Sequence, residues 1–227
     1  MDWLDFARGP ALVFALAVFV LGTAWRLLAV FRMPRLSDLS PPRDGAPSKP
    51  MAALGAIVRG LWPRREFGQS AFAASLNAYV FHIGLALVFL GYAPHIAFIR
   101  RTFGAGWPAL PDTVMYIAAA VTVVTLVVAL WLRLADPVRR RLANADDLIT
   151  WTLTFLPMIT GMAVLGEPSA AILGPDHASY RGPLAVHLLS LELLLIWFPF
   201  GKLMHAVLFA FSRGATGIRF SHRGVKI

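Results

Sequence analysis

A chain of 227 residues that is 58% hydrophobic and 15% charged, with a mean hydropathy of +0.66, is too apolar for a soluble domain of this size, where charged residues make up about 25%. The net charge of +9 does not point to nucleic acid, because the basic residues sit beside the ends of apolar runs, where membrane topology accounts for them. With no cysteine, disulfides, thiol catalysis, CxxCH haem attachment and iron–sulfur ligation are excluded from this chain, and any iron–sulfur relay belongs to a partner. Apolar segments follow in order near residues 10–31, 70–99, 113–134, 148–166 and 183–211, each near or beyond the roughly 20 residues a helix needs to cross a bilayer. The period-two alternation of a membrane barrel is absent. The expectation is an all-α integral membrane bundle of five transmembrane helices, a single domain over 1–227.

The first span, Pro10 to Phe31, ends in Arg26, Arg32 and Arg35 rather than at a small-residue cleavage site, so it reads as a retained helix and not a cleavable signal. The connection 32–69 is long and basic. Its Pro-, Ser- and Asp-rich part, 34–50, predicts irregular chain, and MAALGAIVRGLW (51–62) predicts a short amphipathic helix on the membrane surface. That segment serves either as a plain linker or as a docking surface for a subunit on that side. Basic residues also cluster at Arg133 and Arg139–Arg141 and in the tail at Arg213, Arg219, Arg223 and Lys226. Five spans put all of these on one side, 15 Lys and Arg against the four of Arg8, Arg100, Arg101 and Arg181. The positive-inside rule then predicts the N-terminus outside and the C-terminus inside, in the cell's inner (cytoplasmic) membrane.

Histidine is the residue type that carries chemistry here. Of six histidines, four fall in or at the edge of predicted spans: His82 and His95 on the second, His187 and His205 on the fifth. Ionisable side chains are costly in the bilayer and are usually functional there. His187 and His205 are 18 residues apart, five turns of a continuous helix, which puts them on one face about 27 Å apart along the axis. Depth pairs His82 with His205 on the inner half and His95 with His187 on the outer. Two histidines from facing helices are how a bundle holds a haem iron. The rotation from His82 to His95, 13 residues or about 220°, separates their faces unless Pro94 bends or unwinds the helix end and redirects His95. Gly84 and Gly91 share a face; they either admit a porphyrin to the backbone or pack small-residue helix contacts.

The stretches FHIGLALVFLGYAPH (81–95) and HLLSLELLLIWFPFGKLMH (187–205) resemble the gamma subunit of respiratory nitrate reductase and the wider group of membrane haem subunits linked to heterodisulfide-reductase-like and sulfite-reductase complexes. The resemblance covers about residues 70 to 211, and its most specific parts are FHIG and PFxKLxH. It implies a five-helix di-haem b module. His82 and His205 would ligate the inner haem and His187 the outer. Where that family places its second histidine this chain has Tyr92, so either His95 substitutes, or the outer haem is five-coordinate, or it is absent. The resemblance further implies quinone as substrate, and iron–sulfur and catalytic partner subunits on the inner side. The chain would act as a quinol or quinone oxidoreductase only within that complex, and the tail GATGIRFSHRGVKI departs from nitrate reductase.

Other polar residues have two readings each. Glu192 serves proton transfer or hydrogen bonding within the bundle. Lys202 pairs with a haem propionate or reaches to the membrane surface. Arg100, Arg101 and Arg181 pair with propionates, line a quinone site or anchor the interface. His177 and His222 read as surface residues. No phosphate loop, GxSxG or HExxH motif is present, so no catalytic residue is assigned. The competing function is a haem-free membrane anchor or small transporter that uses the histidines as a proton relay.

Overall fold

The computed structural model describes residues 2–34, 38–62, 68–165 and 181–225. Among these the chain is all-helical with no strand. Helix α1 runs Trp3–Arg32, α2 Lys49–Arg59, α3 Gly68–Gly91, α4 Ala93–Phe103, α5 Asp112–Ala135, α6 Pro137–Arg141, α7 Ala145–Val164, α8 Arg181–Trp197 and α9 His205–His222. Four of them, α1, α3 from Phe72 on, α5 and α7, are long and apolar enough to cross a membrane. The pair α8 and α9 makes a fifth if it is counted as one broken span. The protein is thus a multi-pass helical membrane protein, as composition predicts.

Two of the expected spans are interrupted. The second ends at Gly91. Tyr92 is extended (φ −80°, ψ 128°), and Pro94 sits in the first turn of α4, where its missing N–H costs nothing. The fifth stops at Trp197. Residues 198–201 turn, Lys202–Met204 form one 3-10 turn, and α9 opens at His205. The five-turn register between His187 and His205 requires a continuous helix and does not hold, because Pro199 and Gly201 break it.

The helices divide into two compact units. The first comprises Met1–Phe19 and Ala73–Trp197. Its core gathers Val88 of α3, Ala119 and Leu126 of α5 and Met158 of α7, with Phe81, Trp151 and Phe155 packed around them. Close helix approach is built from small residues. A Cβ on Gly84 would collide with Thr122 Oγ1 of α5, and one on Gly91 would meet Leu110 and Met115. Both glycines therefore serve helix packing, the second of the two readings above. Asn77 donates to the Thr125 carbonyl at 2.9 Å, and Trp151 Nε1 to that of Leu126 at 2.8 Å. At one end, Arg133 pairs with buried Asp147 at 2.5 Å. Asp147 also closes a capping box with Asn144 at the start of α7, which satisfies backbone donors otherwise orphaned.

The second unit comprises Val20–Phe72 and Phe198–Ile227. In it α2 lies along α9, with Ala52 and Ala56 against Gly217 and with Ala53 and Ile57 against Gly214. The predicted amphipathic helix is present, starting two residues earlier than the 51–62 expected. The chain before it is non-helical over 38–48, as its composition predicts. It is tied to the end of α9: Arg43 N–H donates to the His222 carbonyl at 3.0 Å, His222 Nε2 lies 2.9 Å from the Ser40 carbonyl, and Arg223 meets Asp38 at 2.7 Å. His222 is therefore half-buried in a latch rather than a bare surface residue. His177 lies outside the described residues, as do Arg35, Arg64, Arg65 and Lys226.

Candidate functional site: a histidine pair between two helices

The break after Gly91 makes the site. A helix end leaves its last four carbonyls without intrahelical donors, here those of Val88, Phe89, Leu90 and Gly91. In a continuing helix the Leu90 carbonyl would be served by residue 94, a proline with no N–H. Trp107 Nε1 takes it instead, at 2.6 Å. The Gly91 carbonyl receives Leu110 N–H at 2.9 Å. His95 folds back so that Nδ1 lies 3.1 Å from the Val88 carbonyl, with that of Phe89 also in reach. The redirection of His95 expected from Pro94 is observed, and its cause is this set of exposed carbonyls.

His95 meets His187 of α8. Their ring centroids are 6.4 Å apart and their planes differ by 17°. An imidazole nitrogen binds a first-row metal at about 2.0–2.1 Å. With the ring centre about 1.1 Å behind that nitrogen, two axial imidazoles on one ion place their centroids about 6–6.5 Å apart. The separation meets that requirement, and near-parallel planes are one of the arrangements two axial imidazoles adopt. The same separation and near-parallel planes are also those of an offset-stacked ring pair, whose centroids lie about 4.5–7 Å apart.

The environment of His187 is equally specific. Its Nδ1 lies 3.3 Å from Thr160 Oγ1. That hydroxyl donates to the Leu156 carbonyl at 2.7 Å, so toward the ring it accepts. Ser190 Oγ, one turn after His187, is 3.1 Å from the same hydroxyl. Gly161 leaves the room the ring needs, since a Cβ there would sit 3.0 Å from His187 Cε1. A proton on Nδ1 of each ring would serve that oxygen and leave Nε2 with the lone pair, and the Pro157 carbonyl is a further acceptor for the His187 ring. A neighbouring acceptor that fixes tautomer and ring orientation is what metal-ligating histidines have. Tyr92 stands edge-on to His95 at 5.3 Å and Phe89 lies at 5.7 Å; the tyrosine at the departure from the family pattern thus packs beside the histidine that follows it. The pair suits two axial ligands of a haem iron, and no third histidine or carboxylate joins it to make a multi-ligand metal cluster among the described residues.

His82 lies on α3, with Nδ1 2.6 Å from the Ala78 carbonyl. His205 opens α9 in the second unit, with Nδ1 2.8 Å from the Lys202 carbonyl. Each backbone acceptor again fixes the proton on Nδ1. Arg181 is not an interfacial side chain alone: it pairs with Asp2 at 2.7 Å and Asp5 at 3.6 Å, clamping the start of α1 to that of α8. The guanidinium holds the Asp2 carboxyl below its ordinary range. Glu192 is buried, 4% exposed, and its Oε1 has no hydrogen-bond partner among the described residues.

Thr160, Gly161 and Ser190 were not among the residues the sequence singled out. Their signal is a polar residue beside glycine within a span (MITG, 158–161) and a serine one turn from a histidine. Without knowing that α7 packs against α8, neither stands out from ordinary helix-packing residues.

No family model matches the chain. It is 30% identical to a protein of Nitratidesulfovibrio vulgaris in an alignment of 227 residues that covers 95% of this chain and 92% of the relative. At that identity and coverage, the chain belongs to the same family as the N. vulgaris protein.

Proposed function

We propose that this protein is a membrane haem b subunit that carries electrons between the quinone pool and an iron–sulfur partner of a respiratory oxidoreductase complex. The observation that carries the reading is the His95–His187 pair, with its 6.4 Å separation, near-parallel rings and both Nδ1 atoms engaged. A bound haem supplies a one-electron carrier. His95 and His187 would hold it, each ring oriented by its Nδ1 hydrogen bond within an apolar bundle, the levers by which proteins tune such a centre. The sequence resemblance adds His82 and His205 as ligands of a second haem and is the ground for the partner on the inner side, while the charge distribution of the connections is the ground for the N-out topology in the inner membrane.

The test is a reduced-minus-oxidised spectrum of the purified protein together with haem stoichiometry. A b-type α-band is expected; protein purified from haem-replete cells without any haem overturns the proposal. His95→Ala and His187→Ala should remove the same haem, and so should His82→Ala and His205→Ala, with the other haem retained in each case. Loss of different haems within a pair breaks that pairing.

The haem-free reading, an anchor or small transporter with a proton relay, draws on the Thr160–Ser190 hydroxyl pair beside His187 and on buried Glu192. It predicts proton flux in proteoliposomes that Glu192→Gln abolishes, with no visible absorption.

A further inference from the structure

Charge is divided unevenly between the two units. The second contains eight Lys and Arg over residues 20–72 and five over 198–227, against three carboxylates, Asp38, Asp44 and Glu66. The first contains eight Lys and Arg against nine carboxylates. The +9 of the whole chain is thus a property of the unit built on α2 and α9.

Helix α2 has two apolar faces of different kinds. The face toward α9 is mostly small: Ala52 and Ala56 are buried against Gly217, where a Cβ would strike Ala56 and the Ala52 carbonyl, and Gly214 faces Ala53 and Ile57. The opposite face is large. Met51, Leu54 and Val58 are 65%, 58% and 50% exposed. Spaced three and four residues apart, they form one stripe of the helix, which Leu61 and Trp62 extend past its end. Lys49 and Arg59 stand at the two ends of the helix, and Arg213 of α9 lies beside Gly60.

A face of this composition is unfavourable in water. Its place in the chain says what covers it. Residues 33–48 and 60–67 are its only tethers to the spans α1 and α3, so it cannot travel far from the bilayer surface. Large aliphatics beside a tryptophan, bounded by Lys and Arg and free of acidic residues, are the composition of a helix lying in the headgroup region of an anionic bilayer.

We infer that α2, braced from behind by α9, is a membrane-surface platform that inserts Met51, Leu54 and Val58 below the headgroups and gathers anionic phospholipid with the surrounding Lys and Arg. The Ala–Gly contact lets α9 support α2 at close range, and the latch from Asp38 and Ser40 to Arg223 and His222 fixes the far end of that support. The platform is independent of whether haem is bound.

The cysteine-free chain makes the test direct. Nitroxide labels at Leu54→Cys and Val58→Cys, both exposed positions that tolerate a label, are read in full-length protein reconstituted into nanodiscs of phosphatidylglycerol or of phosphatidylcholine. Collision with oxygen reports lipid and collision with a nickel chelate reports water. The expected result is oxygen access with nickel protection in phosphatidylglycerol, deeper than in phosphatidylcholine. The variant Arg59→Gln, Arg213→Gln should reduce the difference between the two lipids severalfold. Labels open to nickel in both lipids overturn the platform. Labels shielded from both reagents also overturn it, because they report protein cover by a second copy or a partner. Equal immersion in the two lipids overturns the anionic preference.

Discussion

Thr160 is the side chain on which the state of His187 turns. Its hydroxyl is already donating to the Leu156 carbonyl, so the only role left toward the imidazole is acceptor. Thr160→Val keeps the shape and removes that oxygen. On the haem reading His95 and His187 would still hold the group, but the His187 ring would lose a hydrogen bond that orients it. Losses of this kind weaken metal binding by about 10–100-fold. The expected outcome is a shifted midpoint potential and weaker retention of one haem, with Thr160→Ser restoring both; an unshifted potential removes Thr160 from the site. Gly161→Val is the steric counterpart, because the added side chain occupies the place of the ring. It should delete the same haem and leave the other.

At the scale of elements, the informative events are the two places where a span stops short. The break at Tyr92 leaves carbonyls that a ring and an indole fill. Trp107→Phe should strand the Leu90 carbonyl; both residues are exposed, so the loss is that of one ordinary hydrogen bond, about 0.5–1.5 kcal/mol, read as a lowered unfolding temperature in detergent. Pro94→Ala removes the reason for the break. The helix can then continue through 92–95, and His95 turns off its present direction, so binding at the His187 site should be lost while α3 itself survives. Both breaks carry a proline in the sequence, yet only the first was read as a bend. Pro94 precedes a histidine whose rotation was already inconsistent with a straight helix, which forced the question. Phe198, Pro199 and Phe200 lie in a stretch whose hydropathy runs on unbroken toward residue 211. Hydropathy reports what surrounds a segment and is blind to whether its backbone is continuous. The existence and order of the spans, the irregular 38–48 connection and the amphipathic α2 were all legible from periodicity and composition. The glycines of α3 were not, because a stripe of small residues reads the same whether its neighbour is a porphyrin or a threonine of α5. Nor were the groups that hold His187, since side-chain acceptors depend on which helices pack together.

For the whole molecule, the tie between the 38–43 segment and the end of α9 sets how acid acts on the second unit. Arg223 and the Ser40 hydroxyl and amide hold the Asp38 carboxyl well below its ordinary value of about 3.9. A depressed carboxylate stabilises the folded form fully above its unfolded pKa and loses that contribution as pH falls through the folded one. Between pH 8 and 5 protease access to 38–48 should therefore not change on account of this pair; it should rise only in strong acid. The pair is exposed and screened by salt, so Asp38→Asn should increase cleavage modestly, and most clearly at low ionic strength.

The way His95 is held has a consequence for biogenesis. Its anchors, the Val88 and Phe89 carbonyls, are within eight residues of it in sequence, so this half of the site can take shape as soon as α3 and α4 leave the ribosome. Thr160 and Gly161 follow with α7. His187 arrives only with α8, the last element of the first unit. Synthesis from the N-terminus thus presents a half-site in which one ligand is oriented and its mate is not yet made. On the haem reading, cofactor capture waits for the final helices, and a nascent chain stopped before residue 181 should remain colourless however well it inserts.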